Sequence, residues 1–532
     1  MEIKRLKLLF SIIGLTFIIW SIIYIFNQSV LAIDNKRYFS LFDDAMISMR
    51  YAWNLSHGNG LVWNPGEYIE GYTNLLMTLL MSLITYLFNK SNAVLAVQIF
   101  GVMTLLSIGT ISVYIANKLS ETFEESQRKL LGIIIFICLL SYYPLIYWTL
   151  NGMETGVLTL FYVSTISLAF YYEKSTNRLI LTLISIIIGL SYLTRPDSLI
   201  ISCIIIIYLY IYKLKFQLSK DKWISSTLLL SPMVLIIFIQ SLFRWVYYHS
   251  IYPNTYILKL VGIPLGFRIQ NGIHFMIPFI LTHILIIVPV IHFYIRFRDR
   301  RYGLFLAMIL ASIGYQIWVG GDPWPYWRQL APIIPFLLIS FVISLFTPRN
   351  IVSKFTVNNR PVIQHTNLSL GLFILVGILL ANGPFLREEL FLQKSYLTEF
   401  YVLKINTSIA LNQLLDQNAT IGVFSAGTIP YYTDRKSVDF LGKSDSYIAN
   451  LPPDLSLKVS FTSLISPPGH NKYDLEYSIK KLKPTYVQYF HWGKQDLTDW
   501  GQANYVAVNY DGVMVYLLKG SPDVYWNRVK DK

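Results

Sequence analysis

Apolar runs alternate with short polar segments over the first 386 residues, and then the pattern changes. The runs lie at 6–31, 93–117, 129–149, 155–172, 179–194, 198–212, 225–246, 273–295, 302–319, 329–346 and 367–386. Each approaches or exceeds the ~20 residues that carry an α-helix across a bilayer core, so they predict about eleven crossings. One further apolar piece, 75–88, is short for a crossing and follows a polar loop directly; its length suits a helix lying along or dipping into the interface. From 387 onward the chain is polar enough to be soluble. Residues 396–415 have helical apolar spacing. Residues 421–424 form a short apolar run closed by Ser425-Ala426-Gly427, the mark of a buried strand. A helix is expected at 474–481 and a strand at 486–490. Residues 505–508 and 513–518 form a hairpin around Asn509-Tyr510-Asp511-Gly512. The fold class is thus a polytopic α-helical membrane protein (domain 1–386, with an outer loop at 32–92) followed by an α/β domain at 387–532.

Charge sets the orientation. Lys4, Arg5 and Lys7 precede an apolar stretch too long for a signal-peptide core, which predicts an uncleaved anchor with its basic start inside the cell. If 75–88 does not cross, the inner loops carry Lys118, Arg128 and Lys129; Lys174 and Arg178; Lys213, Lys215, Lys220 and Lys222; Arg296, Arg298, Arg300 and Arg301; and Arg349, Lys354 and Arg360. The outer loops after the second crossing carry far fewer, namely Arg195, Lys259, Arg268 and Arg328. This asymmetry obeys the positive-inside rule, and it would be inverted if 75–88 crossed. It also accounts for the net charge of +14 without nucleic acid. The α/β domain then falls outside, in a multi-pass protein of the cytoplasmic membrane. The two cysteines, Cys138 and Cys203, lie in apolar runs and form neither a disulfide framework nor a metal motif.

The candidate chemistry collects on the outer face. Asp43 and Asp44 form an acidic pair directly after the first crossing, in a segment read as a loop on the membrane surface. Ionisable groups at a membrane boundary are costly to keep and point to function. Glu154, Arg195, Asp197, Lys259, Asp322 and Arg328 recur where later spans end on that same side. ATP and nucleotide sugars are not available there, and the chain has no phosphate-binding loop. An activated substrate would arrive laterally, linked to lipid. A carboxylate would act as general base on an acceptor hydroxyl, and Lys259, Arg328 and Arg195 would hold the lipid phosphate.

Several segments carry a resemblance: FDDAMISMRYAWNLSHGNGLVWNPGEYIEGYTN (42–74), NGMETG (151–156), LTRPDS (193–198), YPNTYILK (252–259), GGDPWPYWR (320–328), SAGTIPYYTDRKSVDFLGKSD (425–445) and PPGHNKYD (467–474). In this order they resemble the GT-C class of membrane glycosyltransferases that use polyprenyl-phosphate sugars, and within it the bacterial cell-wall arabinofuranosyltransferases. The resemblance implies that the acidic pair provides the base, which falls on Asp43 with Asp44 assisting. It implies interface helices before the second span, an inverting transfer, a polyprenyl-phosphate sugar donor, and a glycan or glycolipid acceptor. Arabinofuranose is one candidate sugar. Glu154, Asp197, His249, Asn254, Asp322 and His470 are candidates for sugar or acceptor contacts. No metal site or cofactor is assigned, with a divalent cation left as an alternative. A transporter or flippase of lipid-linked saccharide, or an oligosaccharide ligase, is the competing reading. A transporter would place its ionisable groups near the bilayer midplane rather than at span ends.

Overall fold

The computed structural model describes residues 2–214, 220–346, 367–395, 397–457 and 464–529. Lys215, Arg349, Lys354 and Arg360 of the expected inner loops lie outside them. Every apolar run of the first 386 residues forms helix. The helices are α1 (Glu2–Gln28), α2 (Asp43–Ser56), α3 (Leu75–Leu87), α4 (Lys90–Leu119), α5 (Glu125–Leu140), α6 (Tyr143–Leu150), α7 (Thr155–Lys174), α8 (Leu179–Thr194), α9 (Leu199–Leu209), α10 (Lys220–Tyr248), α11 (Asn254–Leu260), α12 (Leu265–Phe297), α13 (Arg300–Val319), α14 (Ile334–Phe346) and α15 (Asn367–Asn382). Among the described residues, 8 helical segments are long and apolar enough to cross a membrane, or 9 if the bent pair α5–α6 counts as one. The helices at 179–194 and 331–346 are apolar but shorter. At 13 residues, α3 reaches only ~20 Å, less than a hydrocarbon core.

Two expectations change here. The run 129–149 is not one straight span: α5 and α6 meet at 54°. Pro144 at the start of α6 cannot donate to the preceding turn. The Asn382 side chain caps the break, accepting from Tyr143 N–H at 3.1 Å and donating to the Ser141 carbonyl. The segment carrying the acidic pair is also not a surface loop. Asp43 and Asp44 open α2, where carboxylates complement the helix dipole, and most of α2 is buried. Its faces enter two cores. Ala45, Met46, Met49 and Ala52 pack with the membrane helices, whereas Ile47 and Tyr51 pack with the α/β region.

The basic ends of several helices gather at one place. Arg301 reaches Glu173 at 2.6 Å and Lys213 donates to the Glu173 carbonyl at 2.9 Å. Lys118 and Lys174 both pair with Glu121. The opposite ends of α7, α8 and α13 lead to Glu154, Arg195 and Gly320, where the other candidate residues lie.

In the C-terminal region, α16 (Leu386–Glu389) and α17 (Thr398–Leu414) precede a mixed five-stranded sheet. Two short strands near the N-terminus, β1 (Val30–Leu31) and β2 (Arg37–Tyr38), pair with each other. The sheet itself is built from β3 (Ile421–Val423), β4 (Ser437–Asp439), β5 (Tyr486–Val487), β8 (Tyr505–Tyr510) and β9 (Val513–Leu518), in the order β4-β3-β5-β9-β8. A separate ribbon, β6 (His491–Trp492) with β7 (Gln495–Asp496), follows β5, which is therefore shorter than the expected 486–490. Only a π-helical turn, Glu476–Lys481, stands at 474–481. The hairpin is as expected. Asp511 and Gly512 both have positive φ, the signature of a tight turn matched to strand twist. Val513, Val515 and Leu517 of β9 face the core shared with α2, and Tyr516 and Leu518 face a second core around Phe440 and Phe490.

Candidate active site

Successive residues on an α-helix point about 100° apart, so Asp43 and Asp44 cannot address the same partner. Asp43 turns toward the C-terminal region. Its Oδ1 lies 2.9 Å from Lys404 Nζ and accepts from Thr428 N–H at 3.2 Å and the Thr428 hydroxyl at 3.3 Å. Its Oδ2 accepts from Gly427 N–H at 3.2 Å. The approach is so close that a Cβ on Gly427 would sit 2.1 Å from the Asp43 carbonyl oxygen, so position 427 admits only glycine. Asp43 is a docking point between α2, α17 and the helix α18 (Thr428–Thr433).

Asp44 faces a cavity of about 430 Å3 bordered by α2, α8, α10, α11 and the loop after α13. Its Oδ2 lies 3.0 Å from Arg328, and its Oδ1 pairs with Lys443. Burial alone would raise the Asp44 pKa, but Lys443, Arg328 and Lys259 outweigh it and hold the carboxyl well below the usual range. Arg328 is held by Asp322 through two hydrogen bonds of 3.0 Å and lies over the Trp148 ring at 5.4 Å. Just before it, Tyr326 and Trp327 both adopt left-handed backbone, a costly conformation for large side chains. The Trp148 indole donates to the Tyr326 carbonyl at 3.0 Å, and the Tyr326 hydroxyl donates to Glu388, which fixes the loop and so aims Arg328.

The other charges on the cavity wall are paired too. Arg195 meets Glu154 at 2.7 Å and both oxygens of Asp197 at 2.9 and 3.0 Å. Arg244 forms a two-point pair with Glu70 at 2.5 and 3.1 Å. Lys259 differs. Its ammonium borders the cavity, and among the described residues it makes neither an ion pair nor a hydrogen bond. Burial and the neighbouring Arg328 push its pKa down to about 8, while Asp44 and Asp322 pull it back up. Its stem packs on Gly469, where a Cβ would come within 3.1 Å.

The cavity therefore unites Asp44, Glu154, Arg195, Asp197, Lys259 and Arg328, and it leaves Asp43 off its wall. Asp322 stands behind Arg328. Asn254 acts at a distance, donating to the carbonyls of Gly442 at 2.8 Å and Lys443 at 3.0 Å and thereby bracing the turn that presents Lys443. His470 is buried against Trp324, and burial together with Lys443 pushes its pKa down to about 3, so it stays neutral. His249 is exposed at the end of α10 and does not reach the cavity. Sequence reasoning missed Lys443, Lys404, Arg244 and Glu70. Lys443 lies within 425–445, but nothing in its spacing separates it from any other turn lysine. Among the described residues, no three His, Cys, Asp or Glu side chains are placed to hold a metal ion.

Residues 395–525 match the family model described as Domain of unknown function (DUF8728). No curated protein matches the chain in sequence. The fold is similar to solved structures of ArnT from Cupriavidus metallidurans. With the form bound to undecaprenyl phosphate, the TM-score is 0.50 at 10% identity, over 81% of this chain and 85% of that one. With the apo form it is 0.50 at 11%, over 82% and 86%. The apo oligosaccharyltransferase of Archaeoglobus fulgidus also gives 0.50 at 10%, over 82% of this chain and 64% of that one. At such identities the shared property is the fold alone.

The Asp43–Lys404 contact gives a double-mutant test. Asp43→Asn and Lys404→Met should each destabilise the protein by about 1–3 kcal/mol, since each leaves a mostly buried charge without its partner. Their combination should cost clearly less than the sum. Thermal unfolding and limited proteolysis of the purified protein measure both. Strictly additive losses would mean that the contact does not fasten the two regions.

Proposed function

We propose that the protein is a membrane glycosyltransferase that moves a sugar from a polyprenyl-phosphate donor to a cell-envelope glycan or glycolipid, on the outer face of the cytoplasmic membrane. The observation that carries this reading is Lys259, an ammonium without a partner among the described residues, on a cavity wall where the other charges are matched. A cavity in that state takes an anion. ArnT, of similar fold, was solved with undecaprenyl phosphate, which agrees with a lipid phosphate as that anion.

In the proposed reaction an acceptor hydroxyl attacks the anomeric carbon and inverts it. The bond from that carbon to the phosphate oxygen breaks, and the hydroxyl proton passes to Asp44. The polyprenyl phosphate leaves with one more negative charge, which Lys259 and Arg328 stabilise more strongly than they stabilise the intact donor. Held by two cations, Asp44 is a weak base. An incoming phosphate competes for Lys443 and Arg328, and that competition raises the basicity of Asp44 at the moment it is needed. Asp43 takes a positioning role. Arg195, neutralised by two carboxylates, shapes the wall with Glu154 and Asp197, whose engaged oxygens keep further lone pairs for sugar hydroxyls. Arabinofuranose, the sugar of the family that the sequence resembles, is the first donor to test.

Asp44→Asn should lower turnover about 10²–10⁴-fold, the usual range for a general base, with donor binding retained. Transfer from a synthetic polyprenyl-phosphate sugar in nanodiscs measures it, and near-normal turnover would exclude Asp44 as the base. Lys259 sets the alkaline limb. Its charge is present below about pH 8 and lost above it, so kcat/KM for the donor should fall as pH rises through about 8. Lys259→Gln should abolish that limb and reduce kcat/KM at neutral pH by about 10–100-fold, the worth of one charged hydrogen bond. An unaltered alkaline limb in Lys259→Gln would place the phosphate elsewhere.

The orientation has its own test. In a background without Cys138 and Cys203, Lys519→Cys should react with a membrane-impermeant maleimide on intact cells, and Asn177→Cys only after permeabilisation. The opposite pattern would invert the topology.

A further inference from the structure

A second cavity, also of about 430 Å3, shares no lining residue with the first. Its buried walls are Tyr24 and Gln28 of α1, Tyr143 of α6, Glu388 of α16, and Ser395 and Thr398 at the start of α17. Residues 392–394 are exposed at its mouth, so it opens at the protein surface.

Among the described residues, several of its polar atoms find no partner in the protein. The hydroxyls of Ser395 and Thr398 and both polar atoms of the Gln28 amide are buried without a hydrogen-bond partner. The Gln28 amide lies beside the Tyr24 hydroxyl but does not reach hydrogen-bond geometry with it. An orphaned buried polar group is costly, so four such atoms on one cavity call for an occupant with donors and acceptors. The interior does not suit an anion, since Lys394, the cation of the lining, is exposed at the mouth. Glu388 is the buried charge in the wall, and it already accepts from the hydroxyls of Tyr143 at 3.0 Å and Tyr326 at 2.9 Å. The first cavity offers a spare cation, whereas this one offers a carboxylate, an amide and hydroxyls beside the rings of Tyr24, Tyr143 and Phe391. Aromatic faces pack on the apolar C–H face of a sugar ring, and amide and carboxylate groups bind its hydroxyls. A cavity of this size accommodates a small molecule.

We infer that this cavity is a binding site for a neutral saccharide unit, separate from the site of transfer. The inference goes beyond the proposed reaction and does not depend on it. The ring could arrive as a free monosaccharide or as one residue of a glycan.

The test uses the full-length protein in nanodiscs prepared without sugar detergents. Saturation-transfer NMR is recorded with methyl glucopyranoside, methyl arabinofuranoside and maltotriose at up to tens of millimolar. At least one probe should bind, and Gln28→Leu and Thr398→Val should each weaken that binding about tenfold or more, a loss on the order of 1.4 kcal/mol. Binding of undecaprenyl phosphate, read separately, should not change, so failure here and failure of the transfer reading are distinguishable. Maltotriose binding tighter than either glycoside points to a glycan chain, and equal affinities point to a free sugar. Both substitutions remove orphaned polar atoms, so the thermal midpoint should hold; if either variant fails to fold, Ser395→Ala takes its place. No detectable probe binding, or binding indifferent to the substitutions, would overturn the inference and leave the cavity to water.

Discussion

Two adjacent carboxylates on the first turn of one helix impose the constraint on which this structure depends. A buried carboxylate must be paired, and helical geometry sends the two in different directions, so they need different partners. Both find lysines from the C-terminal region: Lys404 for Asp43 and Lys443 for Asp44. That region is therefore fastened to the membrane helices through the same two residues that begin the candidate site. Hydrophobic packing follows the same route, because α2 lends one face to each core.

From this follows an economy of charge around the first cavity. Arg328 cannot stand near Asp44 without Asp322 behind it to fix its direction, and it reaches that place only because Tyr326 and Trp327 accept left-handed backbone. Such backbone persists where its surroundings over-determine it, as the Trp148 and Glu388 contacts do here. Once Arg195 and Arg244 have taken their carboxylates, Lys259 is left over. Its depressed pKa follows from that position: a cation among cations, partly out of water, with the nearest acids already engaged. A bound phosphate would relieve that stress and gain a partner by doing so. The electrostatics around Lys259 thus support the anion that the proposed reaction requires.

Much of this architecture was legible in the sequence. Apolar run length placed the helices, because crossing a bilayer leaves little freedom in composition. The recurrence of acids and bases at span ends pointed to Glu154, Arg195, Asp197, Lys259 and Arg328, and the fold brings these together with Asp44. What could not be read was which way side chains point and which long-range partners they meet. The break between α5 and α6 depends on Asn382, far along the chain. Reading the acidic pair as part of a loop hid the rotation that separates Asp43 from Asp44. Lys443 and Lys404 escaped notice because their role exists only once the α/β region docks. The close pairing of Arg195 with Asp197, two residues apart, was visible as a local alternative to phosphate binding, and the geometry favours it.

The placement of Lys443 has a mechanistic consequence. In the proposed reaction the base, Asp44, must be quiet without substrate and available with it. A membrane-embedded cation could quiet Asp44 permanently, but it would be as rigid as the helices around it. Lys443 instead stands on a turn shaped by Asp439, which accepts from Leu441 and Ser444 N–H groups, and braced by Asn254 from α11. The Lys443–Asp44 contact depends on that turn, whereas the Asp322–Arg328 pair does not. Asp43 is anchored in the same region through Lys404 and the amides of Gly427 and Thr428, which hold the start of α2 independently of that turn. The pair thus divides the work: one carboxylate holds the position of the helix, and the other faces the cavity.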